Sequence, residues 1–258
     1  MNKLNVVLEW STVPNNTNSD KTEIKTPKTD SYYCFIRLYQ TEYKKVFTTG
    51  SMLARINKLI SDPAKNRKKY THAAMNYQLN DNFIGLNLGV NGMNDIRVET
   101  LRTMATDPNH PQDRNRSRFD MFCVKLNKEE YLELKKQLMK IKISNKISYD
   151  FMDLIWISKD IMVEKIKRKL GLSKESKNTD DLSQTEMALV CSTFVAWVLS
   201  KVSKKYEKYF SNKNIYKISP NDLTYMPGVK YMYGGYWKEY SMLTRKFVEE
   251  HEEFKKFL

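Results

Sequence analysis

The chain has 258 residues, with 44 Lys and Arg against 30 Asp and Glu, which gives a formal net charge of +14. An apolar fraction of 41% excludes a chain that is unfolded as a whole. The eight glycines form no G-x-G-x-x-G or G-x-x-x-x-G-K-[ST] sequence, which excludes nucleotide binding through those phosphate loops.

Membrane insertion is not expected, because the longest nearly apolar run, Ala188 to Leu199, is twelve residues long and too short to span a bilayer. The N-terminal residues contain no long apolar segment of the kind found in signal peptides. We therefore expect a soluble protein located in the cytoplasm.

We expect a single domain over residues 1–258. Its N-terminal third is predicted to contain strands followed by a short helix. A strand at Asn5 to Trp10 precedes a polar loop at about 11–30. Aromatic and β-branched residues at Ser31 to Tyr39 predict a second strand with Cys34 in the core. Apolar spacings of three and four predict a short helix over Ser51 to Ile60.

A β-hairpin is predicted from Tyr70 to Leu79 and from Phe83 to Leu88, with a turn at residues 80–82. The predicted register places Asn87 opposite Ala74, on the same face of the hairpin as His72. Gln78 and Asn76 are expected on the hairpin surface.

Two further strands and several helices complete the prediction. The strands are Ile96 to Thr100 and Arg118 to Leu126, and a capping box formed by Asn127 and Glu130 begins the next helix. Further helices are predicted at Phe151 to Leu170, at Thr185 to Val202, and at the C-terminus over about 240–257.

Neither a disulfide framework nor a metal or cofactor site is expected. The three cysteines, Cys34, Cys123 and Cys191, have no C-x-x-C spacing. The three histidines, His72, His110 and His251, are far apart in sequence and form no H-x-x-x-H motif.

Cys191 and His72 are the candidate catalytic residues. Cys191 is predicted near the start of an apolar helix, where unpaired N–H groups favour a thiolate. His72 stands on a predicted strand among small residues, where its side chain can be held rigidly. The alternatives are a buried core cysteine and a structural histidine.

Four short motifs occur in an order that resembles the circularly permuted NlpC/P60 papain-like proteins, including the YiiX-like group. They are Thr-His-Ala-Ala from Thr71, Tyr-Asp-Phe from Tyr149, Cys-Ser-Thr-Phe-Val-Ala from Cys191, and Ile-Ser-Pro-Asn-Asp-Leu from Ile218. The resemblance spans roughly residues 31–236. It implies an α+β fold of the permuted papain-like type, in which an antiparallel sheet packs against helices.

The resemblance also implies a cysteine-dependent hydrolase or acyltransferase acting on an amide or ester bond. Cys191 would be the nucleophile, His72 the base, and Tyr149 a residue bordering the substrate cleft. The implied substrates are a peptide, a peptidoglycan fragment or another acyl compound.

The residue that orients the imidazole has two candidates. Asn87 follows from the predicted hairpin register, and Glu99 is the nearest strand carboxylate downstream. The sequence leaves both open, together with the alternative that neither residue orients the imidazole.

A second functional reading is a catalytically inert or nucleic-acid-associated protein of the same fold. It depends on the charge of +14, on the run Lys65 to Lys69, and on basic and aromatic residues nearer the C-terminus, namely Lys217, Tyr225, Lys230, Tyr231 and Tyr233. Nucleic acid is not the favoured partner, and the oligomeric state is left open.

Overall fold

A six-stranded antiparallel sheet forms the centre of the chain in a computed structural model, which describes residues 31–44, 55, 58, 63–88, 94–109, 111–144, 186–213, 215 and 218–258. The strands are β1 (Tyr32–Gln40), β2 (His72–Asn76), β3 (Asn82–Leu88), β4 (Asn94–Thr100), β5 (Arg118–Leu126) and β6 (Val229–Tyr236). Their order across the sheet is β4-β3-β2-β1-β5-β6.

Five α-helices accompany the sheet in the described residues: α1 (Leu101–Thr106), α2 (Lys128–Ser144), α3 (Glu186–Val202), α4 (Lys204–Ser211) and α5 (Tyr240–Glu250). Short 3-10 helices cover Asp222–Tyr225, Trp237–Glu239 and Glu252–Phe257. The α+β class with an antiparallel sheet and helices, as predicted from the sequence, is confirmed. None of the helices described here has both the length and the apolar character needed to cross a bilayer.

The two faces of the sheet bury two separate cores, because successive strand residues point to opposite faces. On the first, here called the α3 face, side chains such as Ile36, Ala73 and Met75 pack with α2, α3 and α4. On the second, called the α5 face, side chains such as Phe35 and Ala74 pack with α5 and the C-terminal residues. β1 and β5 contribute to both cores.

Several predicted elements agree with the structure. Strand β5 has the predicted bounds, and α3 begins one residue later than predicted. The capping box is present: the Asn127 N–H donates to Glu130 Oε2 at 2.9 Å, and the Glu130 N–H donates to Asn127 Oδ1 at 2.8 Å. Predicted segments at Asn5 to Trp10, at 11–30 and at Phe151 to Leu170 lie outside the described residues, as does most of Ser51 to Ile60.

The hairpin differs from its prediction. Strand β2 ends at Asn76, and Ala74 lies opposite Gly85 instead of Asn87. Asn76, predicted on the surface, is only 3% exposed, and its amide donates to Asn80 Oδ1 at 3.0 Å and to the Asn82 carbonyl at 2.8 Å. These bonds close a longer connection, and the resulting shift of two residues preserves the face of each side chain.

The predicted C-terminal helix over about 240–257 is wrong as one element. Helix α5 ends at Glu250, and His251 has a non-helical backbone before the final 3-10 turns begin. The His251 ring stacks on Phe247 with 4.3 Å between centroids. Strand β6 was missed because Gly234 and Gly235 disfavour a strand in sequence.

Candidate functional site

His72 is the first residue of β2, and its half-buried side chain lies on the α5 face. It pairs across the sheet with Tyr39, and the two rings are 5.1 Å apart. The Tyr39 ring belongs to the core of the α5 face and lies 5.9 Å from the ring of Trp237. Both the strand pairing and the ring contact therefore place the His72 side chain on the α5 face.

The side chains of Tyr70 and His72 lie on opposite faces of the sheet. Tyr70 is fully buried in the core of the α3 face, with its ring 6.2 Å from that of Phe122. Residues two apart in a regular strand share a face, so the backbone rotates at Thr71. The Thr71 N–H donates to the Tyr39 carbonyl at 2.7 Å, and the Thr71 hydroxyl donates to the same oxygen at 3.1 Å.

Cys191 is the sixth residue of α3 and is 3% exposed in the core of the α3 face. The unpaired N–H groups at a helix start belong to its first four residues, and their electrostatic effect falls off within the first turn. The prediction that Cys191 benefits from this effect is therefore wrong, because the helix begins at Glu186.

One loop contacts both the cysteine helix and the segment that enters β2. The Ser192 hydroxyl, next to Cys191 in the chain, donates to the Ile218 carbonyl. Three residues later, Asn221 Oδ1 accepts the Tyr70 N–H at 2.8 Å. The loop at residues 218–222 therefore brings the second turn of α3 near the start of β2.

This arrangement does not place the two candidate catalytic side chains on the same face of the sheet. Cys191 belongs to the core of the α3 face, whereas His72 contacts Tyr39 on the α5 face.

Strand register distinguishes the two candidate orienting residues. Continuing the observed β2–β3 register by two residues brings the backbone of Asn87 opposite His72. Glu99 pairs with Phe83, four residues farther along, which corresponds to about 13 Å of strand. The backbone geometry therefore favours Asn87, while Tyr149 lies outside the described residues.

A polar cluster that sequence reasoning missed lies on the α3 face around Asp120. This carboxylate is 2% exposed and accepts two hydrogen bonds from Lys68 Nζ, at 2.9 and 2.7 Å. The Tyr70 hydroxyl also donates to it at 2.7 Å, and Asn66 Nδ2 donates to that hydroxyl at 2.6 Å. The sequence of β5 contained a signal for this cluster. Residues 120, 122 and 124 point to the same face of the strand, and Phe122 and Val124 are buried in the core of the α3 face, so Asp120 is buried with them.

Gly234 provides the room for this carboxylate. It lies directly opposite Asp120 on β6, and a Cβ atom at Gly234 would be 1.9 Å from Asp120 Oδ1 and 2.7 Å from the Phe119 carbonyl oxygen. Any side chain at residue 234 would displace the carboxylate or the backbone.

Burial and the Asp120 charge keep the neighbouring phenols protonated. Together they raise the pKa of Tyr70 well above its usual value, and they raise the pKa of Tyr231 to about 12. Both hydroxyls are therefore hydrogen-bond donors at neutral pH.

The other two cysteines lie in unreactive environments. Burial raises the pKa of the Cys34 thiol far above its usual value and that of Cys123 to about 12. A buried neutral thiol is a poor nucleophile, so both residues have the core role that the sequence predicts for Cys34.

Among the side chains that the structure describes, no group of three or more His, Cys, Asp or Glu residues could hold a metal ion. His110 lies outside that part of the chain. Comparison of the whole chain with family models, curated proteins and solved structures gives no match.

Proposed function

We propose that the protein is a cysteine-dependent hydrolase or acyltransferase of the permuted papain-like type, with Cys191 as nucleophile and His72 as base. The observation that carries the proposal is the loop at residues 218–222, which contacts both the cysteine helix and the entry to β2. An antiparallel sheet packed against the helix that contains Cys191 supports it further.

The proposal requires the His72 imidazole to leave the Tyr39 ring and turn toward the α3 face. His72 is the terminal residue of β2, and the backbone already reverses its face between Tyr70 and His72. Such a turn falls at residues 71 and 72 and would break the hydrogen bonds that the Thr71 N–H and hydroxyl donate to the Tyr39 carbonyl.

The reaction follows from these roles. His72 accepts the thiol proton, and the Cys191 thiolate attacks the carbonyl carbon of an amide or ester. The leaving amine or alcohol takes the proton from the imidazolium as its bond to the carbonyl carbon breaks. Water or another acyl acceptor then attacks the acyl-enzyme with His72 as base, which releases the acyl product and restores the thiol. A peptide, a peptidoglycan fragment or another acyl compound fits this chemistry.

Labelling with a panel of electrophilic acyl probes tests the nucleophile. We expect covalent labelling of the native protein and of a Cys123→Ala control, detected by mass spectrometry, and loss of labelling in Cys191→Ala. Equal labelling of native protein and Cys191→Ala would contradict the assignment of the nucleophile.

The pH dependence of cysteine alkylation tests the base. With His72 as partner, we expect Cys191 to react with iodoacetamide at pH 6 to 7, because the imidazole takes up the thiol proton and the thiolate is the form that reacts. In His72→Ala the rate should rise only above about pH 8, where an unperturbed thiol ionises. His251→Ala is the matched control, since that ring stacks on Phe247.

Two results of this measurement would reject the ion pair. One is a native Cys191 rate that rises only above about pH 8, and the other is an unchanged pH profile in His72→Ala. Cys34 and Cys123 serve as internal references and should react more slowly than Cys191 throughout, since burial raises the pKa of both thiols.

A further inference from the structure

An exposed basic turn lies between two exposed tyrosines. The turn, here called the basic turn, comprises Lys65 to Lys68. On one side, the Lys65 N–H donates to Thr224 Oγ1 at 3.0 Å, which places the turn beside Tyr225. On the other side, Lys68 Nζ is 6.0 Å from the centroid of the Tyr231 ring. Cations and aromatic rings therefore share one surface.

The backbone of the basic turn is held rigidly. The Ala64 N–H donates to the Lys68 carbonyl at 2.8 Å, and the Arg67 N–H donates to the Ala64 carbonyl at 2.7 Å. Arg67 has φ of 61°, a left-handed conformation that is unfavourable for a residue with a side chain. Such strained residues concentrate at functional sites, where the surrounding structure imposes them.

The four cations around this turn divide into two pairs. Lys68 Nζ binds Asp120, and Lys69 Nζ donates to the Lys58 carbonyl. Lys65 and Arg67 are exposed, and their side chains form no hydrogen bond or ion pair with the rest of the described chain. Lys65 and Arg67 are therefore the two cations available to an anionic partner.

Both flanking rings are fixed in position while remaining accessible. Tyr225 is 50% exposed and Tyr231 is 43% exposed. The Tyr225 hydroxyl donates to the Pro63 carbonyl at 3.2 Å, and the Tyr231 ring lies 5.6 Å from that of Phe122. Rings held in this way lose little conformational freedom when a planar partner stacks on them.

We propose that this surface binds single-stranded nucleic acid, with phosphates on Lys65 and Arg67 and bases stacked on Tyr225 and Tyr231. Basic groups beside aromatic rings are how proteins bind single strands without reading sequence. An acidic peptide would supply the charge but no planar ring for each tyrosine, and a duplex hides the faces of its bases. The chain's net charge of +14 favours the encounter at long range.

The experiment compares two fluorescein-labelled ligands by fluorescence anisotropy at several salt concentrations. One is a 12-mer of deoxythymidine, and the other is a 12-mer of abasic sites with the same number of phosphates. We expect the native protein to bind the thymidine strand at least tenfold more tightly at 0.15 M salt, because only that strand has bases to stack on the two tyrosines.

Two double variants separate charge from stacking. Tyr225→Ala/Tyr231→Ala should weaken thymidine binding about tenfold or more and leave abasic binding unchanged. Lys65→Ala/Arg67→Ala should weaken both ligands and reduce the slope of log affinity against log salt by about 1.4. Arg245→Ala/Lys246→Ala, on α5 at the opposite face, removes the same two residue types and should change the slope much less.

Three results would overturn the proposal. Equal affinity for thymidine and abasic strands means attraction of a polyanion only, and equal effects of the two charge variants mean that the basic turn has no special role. Displacement of the thymidine strand by poly-glutamate at equal charge concentration would point to an acidic protein partner instead. Circular dichroism of each variant verifies folding, and Cys191→Ala should bind like the native protein, which separates this surface from the proposed hydrolase.

Discussion

At the scale of single residues, Asp120 joins three separate parts of the chain. The carboxylate on β5 is buried between Lys68 and Tyr70 and lies against Gly234 on β6. In Asp120→Asn the new amide directs N–H donors toward the lysine ammonium and removes the opposite charge. We expect a loss of about 3 kcal/mol in the free energy of unfolding, measured by urea denaturation.

Two comparisons define this effect. Asp107→Asn, at a partly exposed carboxylate that accepts the Asn109 N–H, should change stability by less than about 0.5 kcal/mol. Gly234→Ala should destabilise the protein through displacement of Asp120 without altering any charge. A stability of Asp120→Asn equal to that of the native protein would mean that the carboxylate is not needed for this connection.

At the scale of elements, the start of α2 depends on reciprocal bonds between Asn127 and Glu130. Asn127→Ala leaves the Glu130 N–H without its side-chain acceptor. We expect a loss of about 1 kcal/mol in the free energy of unfolding, measured by thermal or urea denaturation.

Lys140→Ala, at an exposed site within the same helix, is the control for this prediction and should be nearly neutral. If both variants unfold at the native urea midpoint, the cap does not contribute to stability.

The connection between β2 and β3 is fixed in a different way from the start of α2. The end of β2 depends on hydrogen bonds that the Asn76 side chain donates to residues outside its own strand.

At the scale of the whole molecule, the two cores should unfold together. Leu138 is buried in the core of the α3 face and Phe254 in that of the α5 face, and β1 and β5 contribute to both. Leu138→Ala should cost about 2–5 kcal/mol and Phe254→Ala about 3–5 kcal/mol, because each leaves a cavity. Each variant should retain one cooperative transition in urea.

Tryptophan fluorescence and far-ultraviolet circular dichroism supply the measurement. Trp197 packs against the first core and Trp237 lies in the second, so fluorescence reports on both. Coincident fluorescence and dichroism curves are expected, whereas two separated transitions in either variant would show that the cores fold independently.

Much of the fold was predictable because its signals are local. The alternation from Arg118 to Leu126 and the pair Asn127 and Glu130 act through near neighbours in the chain, and the structure has the strand and the cap where the sequence predicts them. The glycines of β6 act differently: Gly234 is present because Asp120 occupies the space of a side chain, and no local pattern contains that information.

Sequence patterns were enough to predict the α+β class, the bounds of β5, and a helix and a strand for Cys191 and His72 respectively. The face of the sheet that each of these two side chains occupies follows from tertiary packing, because His72 pairs with Tyr39 across the sheet and Cys191 lies in the core of the α3 face. Tertiary packing also distinguishes Lys68 from Lys65 and Arg67. Lys68 is paired with Asp120, which lies 52 residues away in the chain, whereas Lys65 and Arg67 are available to an anionic partner. Such pairings depend on how the chain folds back on itself, which local sequence patterns do not specify.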